Sequence, residues 1–126
     1  MNFSEAIRAV LNKYATFEGR ARRAEYWYFA LLSCVLSIVG QAIGAAGRDG
    51  GLITLLLLGA ISLVSLALIV PGIAVSVRRL HDTGRSGWFL LLALIPIVGS
   101  ILLLVWMCSR GTEGPNRFGA DPIPAV

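Results

Sequence analysis

Six arginines in two short segments are the residues of this 126-residue chain best suited to binding a ligand. The guanidinium group is planar and charged, and its fork of N–H groups matches phosphate and carboxylate oxygens. We therefore expect these side chains to contact anionic headgroups or a protein partner. The six residues are Arg20, Arg22, Arg23, Arg78, Arg79 and Arg85.

Acidic and polar side chains beside the arginines are expected to organise them. Asp82 lies among four cations and is expected to hold Arg79 or Arg85, while Glu25 is expected to hold Arg22 or an arginine of the second segment. A turn-rich tail supplies a third polar segment. The organising residues are Glu25, His81 and Asp82, and the tail motif consists of Asn116, Arg117 and Asp121.

The second segment also contains the one sequence feature that could indicate catalysis. Gly84-Arg85-Ser86-Gly87 has the Gly-x-Ser-Gly form used by intramembrane serine proteases, and His81 is the chain's single histidine. A separation of five residues places Ser86 and His81 on different faces of a helix, which is poor geometry for a nucleophile and its base. One histidine also leaves too few ligands for a metal hydrolase. We expect no enzyme, no metal and no cofactor, with a Ser86 and His81 hydrolase as a remote alternative.

The elements that must position these residues are membrane-spanning helices. Hydrophobic residues make up 56% of the chain and charged residues 14%, against about 25% in an ordinary soluble domain. Three blocks without Asp, Glu, Lys or Arg each reach the ~20 residues that cross a bilayer. We predict an all-α membrane domain over residues 26–109, with three transmembrane helices at about 26–46, 52–77 and 87–109.

Two of the three blocks contain a proline. Pro71 with Gly72 predicts a kink in the second helix, because proline removes a backbone donor and crowds the preceding turn. In the third block, Pro96 to Gly99 leaves two structures open. One is a single kinked helix that places the tail, residues 110–126, outside. The other is a pair of short helices that returns the tail to the cytoplasm, although its turn must be satisfied at membrane depth.

The N-terminal arm, residues 1–25, is predicted to begin with a short amphipathic helix, because apolar residues from Phe3 to Tyr14 recur at helical spacing. This helix could lie along the inner membrane surface or pack on the protein's own loops. In the first span, Gly40 and Gly44 form a small-xxx-small pair typical of close helix packing.

The distribution of basic residues predicts the orientation. The arm holds five Lys or Arg residues, the first loop one, the second loop three and the tail two. A cytoplasmic N-terminus therefore places eight inside with three spans, or ten with the folded-back third block, as the positive-inside rule favours. The formal charge of +4 is explained by this pattern, so we expect no nucleic-acid partner.

Three separated motifs resemble a family of small bacterial inner-membrane proteins known as domain of unknown function 805. The first motif consists of Gly19, Arg20, Arg23, Tyr26 and Trp27; the second runs from Arg78 to Trp88, and the third from Gly111 to Pro122. One departure is Ala24, where the family more often has serine. The resemblance implies a multi-pass protein of the inner membrane and the importance of these motifs, and it implies no reaction.

The sequence thus predicts a non-enzymatic inner-membrane protein whose cytoplasmic arginines contact anionic phospholipid headgroups or a partner membrane protein. The alternative is an accessory subunit of a transporter or channel, since the spans themselves offer almost no ionisable group for a transport path. A homo-oligomer or assembly with a larger membrane protein is open in either case.

Overall fold

The computed structural model describes residues 1–123, which form five α-helices and one 3-10 helix. The end of the predicted tail, residues 124–126, lies outside the described residues. In chain order the elements are α1 (Phe3–Asn12), α2 (Arg23–Ala46), α3 (Leu52–Ala67), α4 (Ile69–Asp82), the 3-10 segment (Gly87–Leu94) and α5 (Val98–Cys108).

The amphipathic helix α1 packs on the rest of the chain. Its N-terminus is capped by Asn2, whose side-chain oxygen accepts a hydrogen bond from the backbone N–H of Glu5 at 2.9 Å. Ala6 and Val10 are fully buried against α2 and α4. Helix α1 therefore packs on α2 and α4 and still presents an apolar face outward. The exposed large apolar residues of the arm are Met1, Phe3, Leu11, Tyr14 and Phe17.

Helices α2 and α3 pack together as a hairpin. A Cβ atom on Gly40 would lie 3.6 Å from Ile61 of α3, an ordinary packing contact, whereas a Cβ on Gly44 would meet nothing within 4 Å. The closest approach is at the turn, where a Cβ on Gly47 would lie 2.0 Å from the Thr54 hydroxyl oxygen. Gly40 thus contributes to packing within the chain, and Gly47 is the glycine that the hairpin requires.

The second apolar block breaks at Leu68, between α3 and α4, rather than at Pro71. In a regular helix the N–H of residue 71 would bond to the carbonyl of Ala67, and proline has no N–H to give. The Tyr14 hydroxyl donates to that carbonyl instead. The break therefore falls three residues before the proline, and helix α1 supplies the missing donor.

The third apolar block is not the single kinked helix that we predicted as one of two forms. The 3-10 segment ends at Leu94 and α5 begins at Val98, so the block folds back on itself. A Cβ on Gly99 would lie 1.7 Å from the carbonyl oxygen of Leu92, a contact that only glycine permits. Ile97 in the turn has φ of 65°, which is rare for a β-branched residue.

Two helices are long and apolar enough to cross a membrane. These are α2, with 24 residues, and the continuous 31-residue stretch Leu52–Asp82 that contains α3 and α4. Helix α5 has only 11 residues, about 16 Å at 1.5 Å per residue, which is roughly half of a bilayer core. The fold therefore consists of two long helices, a short folded-back pair, and the arm and tail meeting at one end.

Candidate functional site: a buried arginine cluster

Asp82 lies at the centre of the polar cluster and pairs with two arginines from different segments. Its carboxylate oxygens lie 2.9 Å from Arg20 Nη2 and 2.8 Å from Arg79 Nη1. Arg79 is fully buried, and Arg20 and Asp82 are almost so. Asp82 thus pairs with Arg79, one of the two arginines considered for it, and its second partner is Arg20 of the arm rather than Arg85.

Glu25 of α2 holds Arg78 of α4, one of the two partners considered for it. Glu25 Oε1 accepts a hydrogen bond from Arg78 Nη1 at 2.6 Å, and both side chains are buried. Arg78 Nε donates to the carbonyl of Thr16 in the arm at 3.1 Å. Among residues 1–123, Arg78 Nη2 is the buried side-chain polar atom that has no partner. This pair joins α2, α4 and the arm.

Arg20 is enclosed by the tail. Its Nη1 donates to the carbonyls of Gly114 at 2.6 Å and Gly119 at 3.4 Å, and its Nη2 donates to the carbonyl of Thr112. The Thr112 N–H in turn donates to the Asp82 carbonyl at 2.7 Å. The tail is therefore fixed to the arm and to α4 by backbone groups that surround a single guanidinium.

Arg79 closes the C-terminus of α5. Its Nε and Nη2 donate to the Met107 carbonyl at 3.3 and 3.2 Å, and Nη2 also donates to the carbonyl of Ser109. Arg23 Nη1 donates to the Cys108 carbonyl at 3.2 Å, and Trp27 Nε1 donates to that of Met107 at 3.1 Å. The last carbonyls of a helix lack internal donors and carry partial negative charge, so cations here satisfy both needs.

His81 and the tail motif form a stack. The imidazole lies parallel to the Phe118 ring at a centroid distance of 4.0 Å. The Arg117 guanidinium lies 4.6 Å from the centroid of the same Phe118 ring. His81 Nδ1 is 3.0 Å from the Gly19 carbonyl oxygen, and Asn116 Nδ2 donates to the His81 carbonyl at 2.9 Å. The predicted tail motif thus meets the second segment directly.

Asp121 closes the turn of the tail. Its carboxylate accepts hydrogen bonds from the N–H groups of Ile123 at 3.0 Å and Gly114 at 2.9 Å. These two donors, with a smaller contribution from the charges of Arg20 and Arg110, hold the pKa of Asp121 below its ordinary value of 3.8.

Four of the arginines in the motifs have no carboxylate partner within residues 1–123. Arg23 and Arg117 are exposed, and Arg22 and Arg85 are half-buried. Arg85 lies 4.3 Å above the Trp106 ring, a cation–π contact. The cluster therefore divides the arginines into a buried, internally paired set and an outer set without a carboxylate partner among the described residues. The buried set is Arg20, Arg78 and Arg79, and the outer set is Arg22, Arg23, Arg85 and Arg117.

Ser86 and His81 line one groove, but their hydrogen bonds lead elsewhere. The Ser86 hydroxyl oxygen accepts from the Trp88 N–H at 3.3 Å, and His81 Nδ1 is engaged by the Gly19 carbonyl. In the part of the chain that the structure describes, no three His, Cys, Asp or Glu side chains are grouped so as to hold a metal ion.

Several residues that build the cluster gave no functional signal in the sequence. A Cβ on Gly111 would lie 2.0 Å from Asp82 Oδ2, so glycine is needed where the tail passes the carboxylate. Tyr14, which caps the Ala67 carbonyl, resembled one more apolar residue of an amphipathic helix. Phe118 lies in the third motif, between Gly111 and Pro122, but nothing in the spacing identified His81 as its partner.

The fold and the cluster are those of a small helical membrane protein whose arginines and carboxylates gather at one end. The chain belongs to the family described as protein of unknown function (DUF805), whose model matches residues 14–120. No solved structure matches it.

Three relatives from Escherichia coli strain K12 illustrate the family. "Inner membrane protein YhaH" is 43% identical over 119 residues, and "Inner membrane protein YhaI" is 43% identical over 115 residues; each match covers 90% of this chain and 92% of the relative. "Uncharacterized protein YiiR" is 27% identical over 136 residues, covering 84% of this chain and 85% of the relative.

Proposed function

We propose that this chain is a non-enzymatic protein of the bacterial inner membrane whose outer arginines bind anionic phospholipid headgroups on the cytoplasmic side. The names of the two relatives at 43% identity support the location. The folded-back third block supports the orientation, because it gathers ten of the eleven basic residues at one end and leaves Arg48 alone at the other.

The observation that carries the proposal is the division of the arginines into two sets. Arg20, Arg78 and Arg79 are held by carboxylates and carbonyls and cannot reach a lipid phosphate. The outer set keeps its charge uncompensated at the same end of the molecule. The buried cluster therefore acts as a rigid support, and the outer set forms the contact surface.

A groove beside Arg23 has the chemistry of a headgroup contact. It has a volume of about 480 Å³ and is lined by Arg23, Trp27, Tyr28 and Leu31. Trp and Tyr prefer the headgroup level of a bilayer, and arginine beside them offers a fork to phosphate. Leu31, two turns further along α2, continues the groove toward the hydrocarbon.

Lipid retention in native mass spectrometry tests this function. Arg22→Gln with Arg23→Gln should lower the retention of phosphatidylglycerol relative to phosphatidylcholine by roughly fivefold for each arginine, since each basic residue near the surface contributes about 1 kcal/mol. The matched control is Arg48→Gln, which removes one arginine at the opposite end. Equal retention by all three proteins would contradict the headgroup surface.

A second groove favours the accessory-subunit alternative. It has a volume of about 410 Å³ between α2, α3 and α4, and its lining includes Ser33, Ser37, Ser65 and Ser76. Small hydroxyl residues let another transmembrane helix approach closely. Replacing Ser37 and Ser65 by leucine should then release a co-purifying membrane protein while lipid retention stays unchanged.

A further inference from the structure

A third groove separates α4 from the 3-10 segment and runs from a polar mouth into an apolar depth. Its volume is about 580 Å³, within the ~300–1,000 Å³ typical of sites for small ligands. The depth is formed by side chains of two charge-free blocks, and the mouth by side chains of the second polar segment. The walls are Ile73, Val77, Leu90 and Leu91, and the mouth is formed by His81 and Ser86.

The apolar walls open toward the surroundings of the helices. Ile73 is 44% exposed and Leu91 56% exposed. Both belong to apolar blocks, so the medium they face is the hydrocarbon of a bilayer. An acyl chain can enter such a groove sideways from the membrane without crossing a polar layer.

The mouth offers groups that suit an oxygen-rich headgroup. The Gly19 carbonyl lies opposite His81 Nδ1, so Nε2 is the ring atom left to face a ligand. The hydroxyl oxygen of Ser86 accepts from the Trp88 N–H, and its proton is free to be donated. Either group can bond to a phosphate oxygen or a glycerol hydroxyl.

The charge near the mouth is positive. The Arg117 guanidinium lies 4.6 Å from the centroid of the Phe118 ring on which the His81 ring stacks, so one cation and the imidazole contact the same ring. Within residues 1–123 this arginine has no carboxylate partner. A negative headgroup is therefore the complementary ligand.

We propose that this groove binds one anionic glycerophospholipid, with an acyl chain between α4 and the 3-10 segment and its phosphate or glycerol oxygens at His81 and Ser86. The inference rests on the proposed lipid-binding function and names a second, chain-burying site for it. A partner helix is the competing occupant, and the variants below distinguish it from a lipid.

Filling the groove tests the acyl-chain part. Leu91→Trp places a large ring in the groove, whereas Leu94→Trp places the same ring on the same 3-10 segment at a residue that is 79% exposed and outside the lining. The purified full chain is titrated with phosphatidylglycerol and with phosphatidylcholine in native mass spectrometry. Leu91→Trp should lower the retention of the most tightly bound phosphatidylglycerol at least tenfold. Leu94→Trp should leave that retention unchanged.

Removing the Ser86 hydroxyl tests whether the mouth of the groove binds the lipid headgroup. Ser86→Ala should reduce the preference for phosphatidylglycerol over phosphatidylcholine by about tenfold, the effect of one hydrogen bond to a charged group. Within the described residues the Ser86 side chain makes its hydrogen bond to the Trp88 N–H, at the start of the 3-10 segment, and none to the tail, so this variant leaves the hydrogen bonds of the cluster in place.

Two results would overturn the inference. One is equal phosphatidylglycerol retention by Leu91→Trp and Leu94→Trp, and the other is a co-purified polypeptide that Leu91→Trp releases, which would assign the groove to a partner helix. Arg22→Gln with Arg23→Gln separates this site from the surface site: the double variant should lose weakly held lipids and keep the one in the groove. If the groove variants have no effect while the double variant still loses weakly held lipids, the groove site is wrong and the proposed function stands.

Discussion

The Tyr14 hydroxyl donates a hydrogen bond to the carbonyl of Ala67, the group that Pro71 leaves without a helical donor. One residue of the arm thus completes the backbone hydrogen bonding of the long apolar stretch Leu52–Asp82. Because an unpaired carbonyl in apolar surroundings costs free energy, this contact ties helix α1 to the break between α3 and α4. The proline and the tyrosine function as a pair although they are 57 positions apart in the sequence.

A double-mutant cycle measures this pair. Tyr14→Phe removes the donor and should lower the free energy of unfolding in detergent by about 1 kcal/mol. Pro71→Ala gives Ala67 its own helical donor, so in that background Tyr14→Phe should have almost no effect. An undiminished loss in the Pro71→Ala background would show that the tyrosine acts through other contacts.

The central carboxylate should be the most sensitive position of the cluster. Asp82→Asn keeps the shape of the side chain but leaves Arg20 and Arg79 buried without a counter-charge, and losing one member of a buried ion pair costs about 3–5 kcal/mol. Denaturant titration in micelles measures the change.

The matched control for Asp82→Asn is the exposed ion pair between Arg110 and Glu113. These side chains lie 3.1 Å apart and are 67% and 75% exposed. Arg110→Gln should change the free energy of unfolding by less than about 1 kcal/mol, because water screens such pairs. Similar losses in both variants would mean that the buried cluster is not what holds this end of the molecule together.

The fold-back of the third block depends on Gly99. Gly99→Ala drives a methyl group into the Leu92 carbonyl and should destabilise the protein by about 1–3 kcal/mol, as overpacking does. Gly59→Ala is the control, since a Cβ there would meet nothing within 4 Å. It should be neutral or slightly stabilising, because alanine favours the helix. A tolerated Gly99→Ala would favour the single-helix form of the block.

The turn of the tail should loosen in acid. The pKa of Asp121 is lower in the folded chain than its ordinary value of 3.8, so the carboxylate stabilises the turn above about pH 4 and this contribution is lost as the pH falls through the folded pKa. Hydrogen exchange at the Gly114 amide should accelerate over that range beyond its intrinsic pH dependence. In Asp121→Asn the extra acceleration should vanish.

Much of the helical architecture could be predicted from the sequence. A run of about 20 residues without charge and the helical spacing of apolar residues are both local properties of the chain. It also singled out Glu25 and Asp82 as organisers. The partners of these side chains could not be predicted, since Arg20 meets Asp82 and the tail only after the third block folds back. Whether the third block is a single helix or folds back depends on where the unpaired carbonyls at the end of α5 find donors. The spacing of residues along the chain does not show where those donors are.

Gly111 and Gly99 illustrate the same limit. Both stand in glycine-containing turns that the sequence marks clearly. What makes them necessary is a close approach, to Asp82 in one case and to the Leu92 carbonyl in the other. Such contacts are set by the packing of elements distant in the chain or folded over a tight turn, and residue type alone cannot distinguish them from ordinary flexible positions.

The side of the membrane on which the tail lies tests the central claim that arm, second loop and tail form one cluster. In a background with Cys34→Ala and Cys108→Ala, single cysteines at Glu18, Asp49 and Glu113 are labelled with a membrane-impermeant maleimide in spheroplasts and in inverted vesicles. Glu18→Cys and Glu113→Cys should react only in inverted vesicles, and Asp49→Cys only in spheroplasts. Labelling of Glu113→Cys from the side opposite to Glu18→Cys would contradict the cluster.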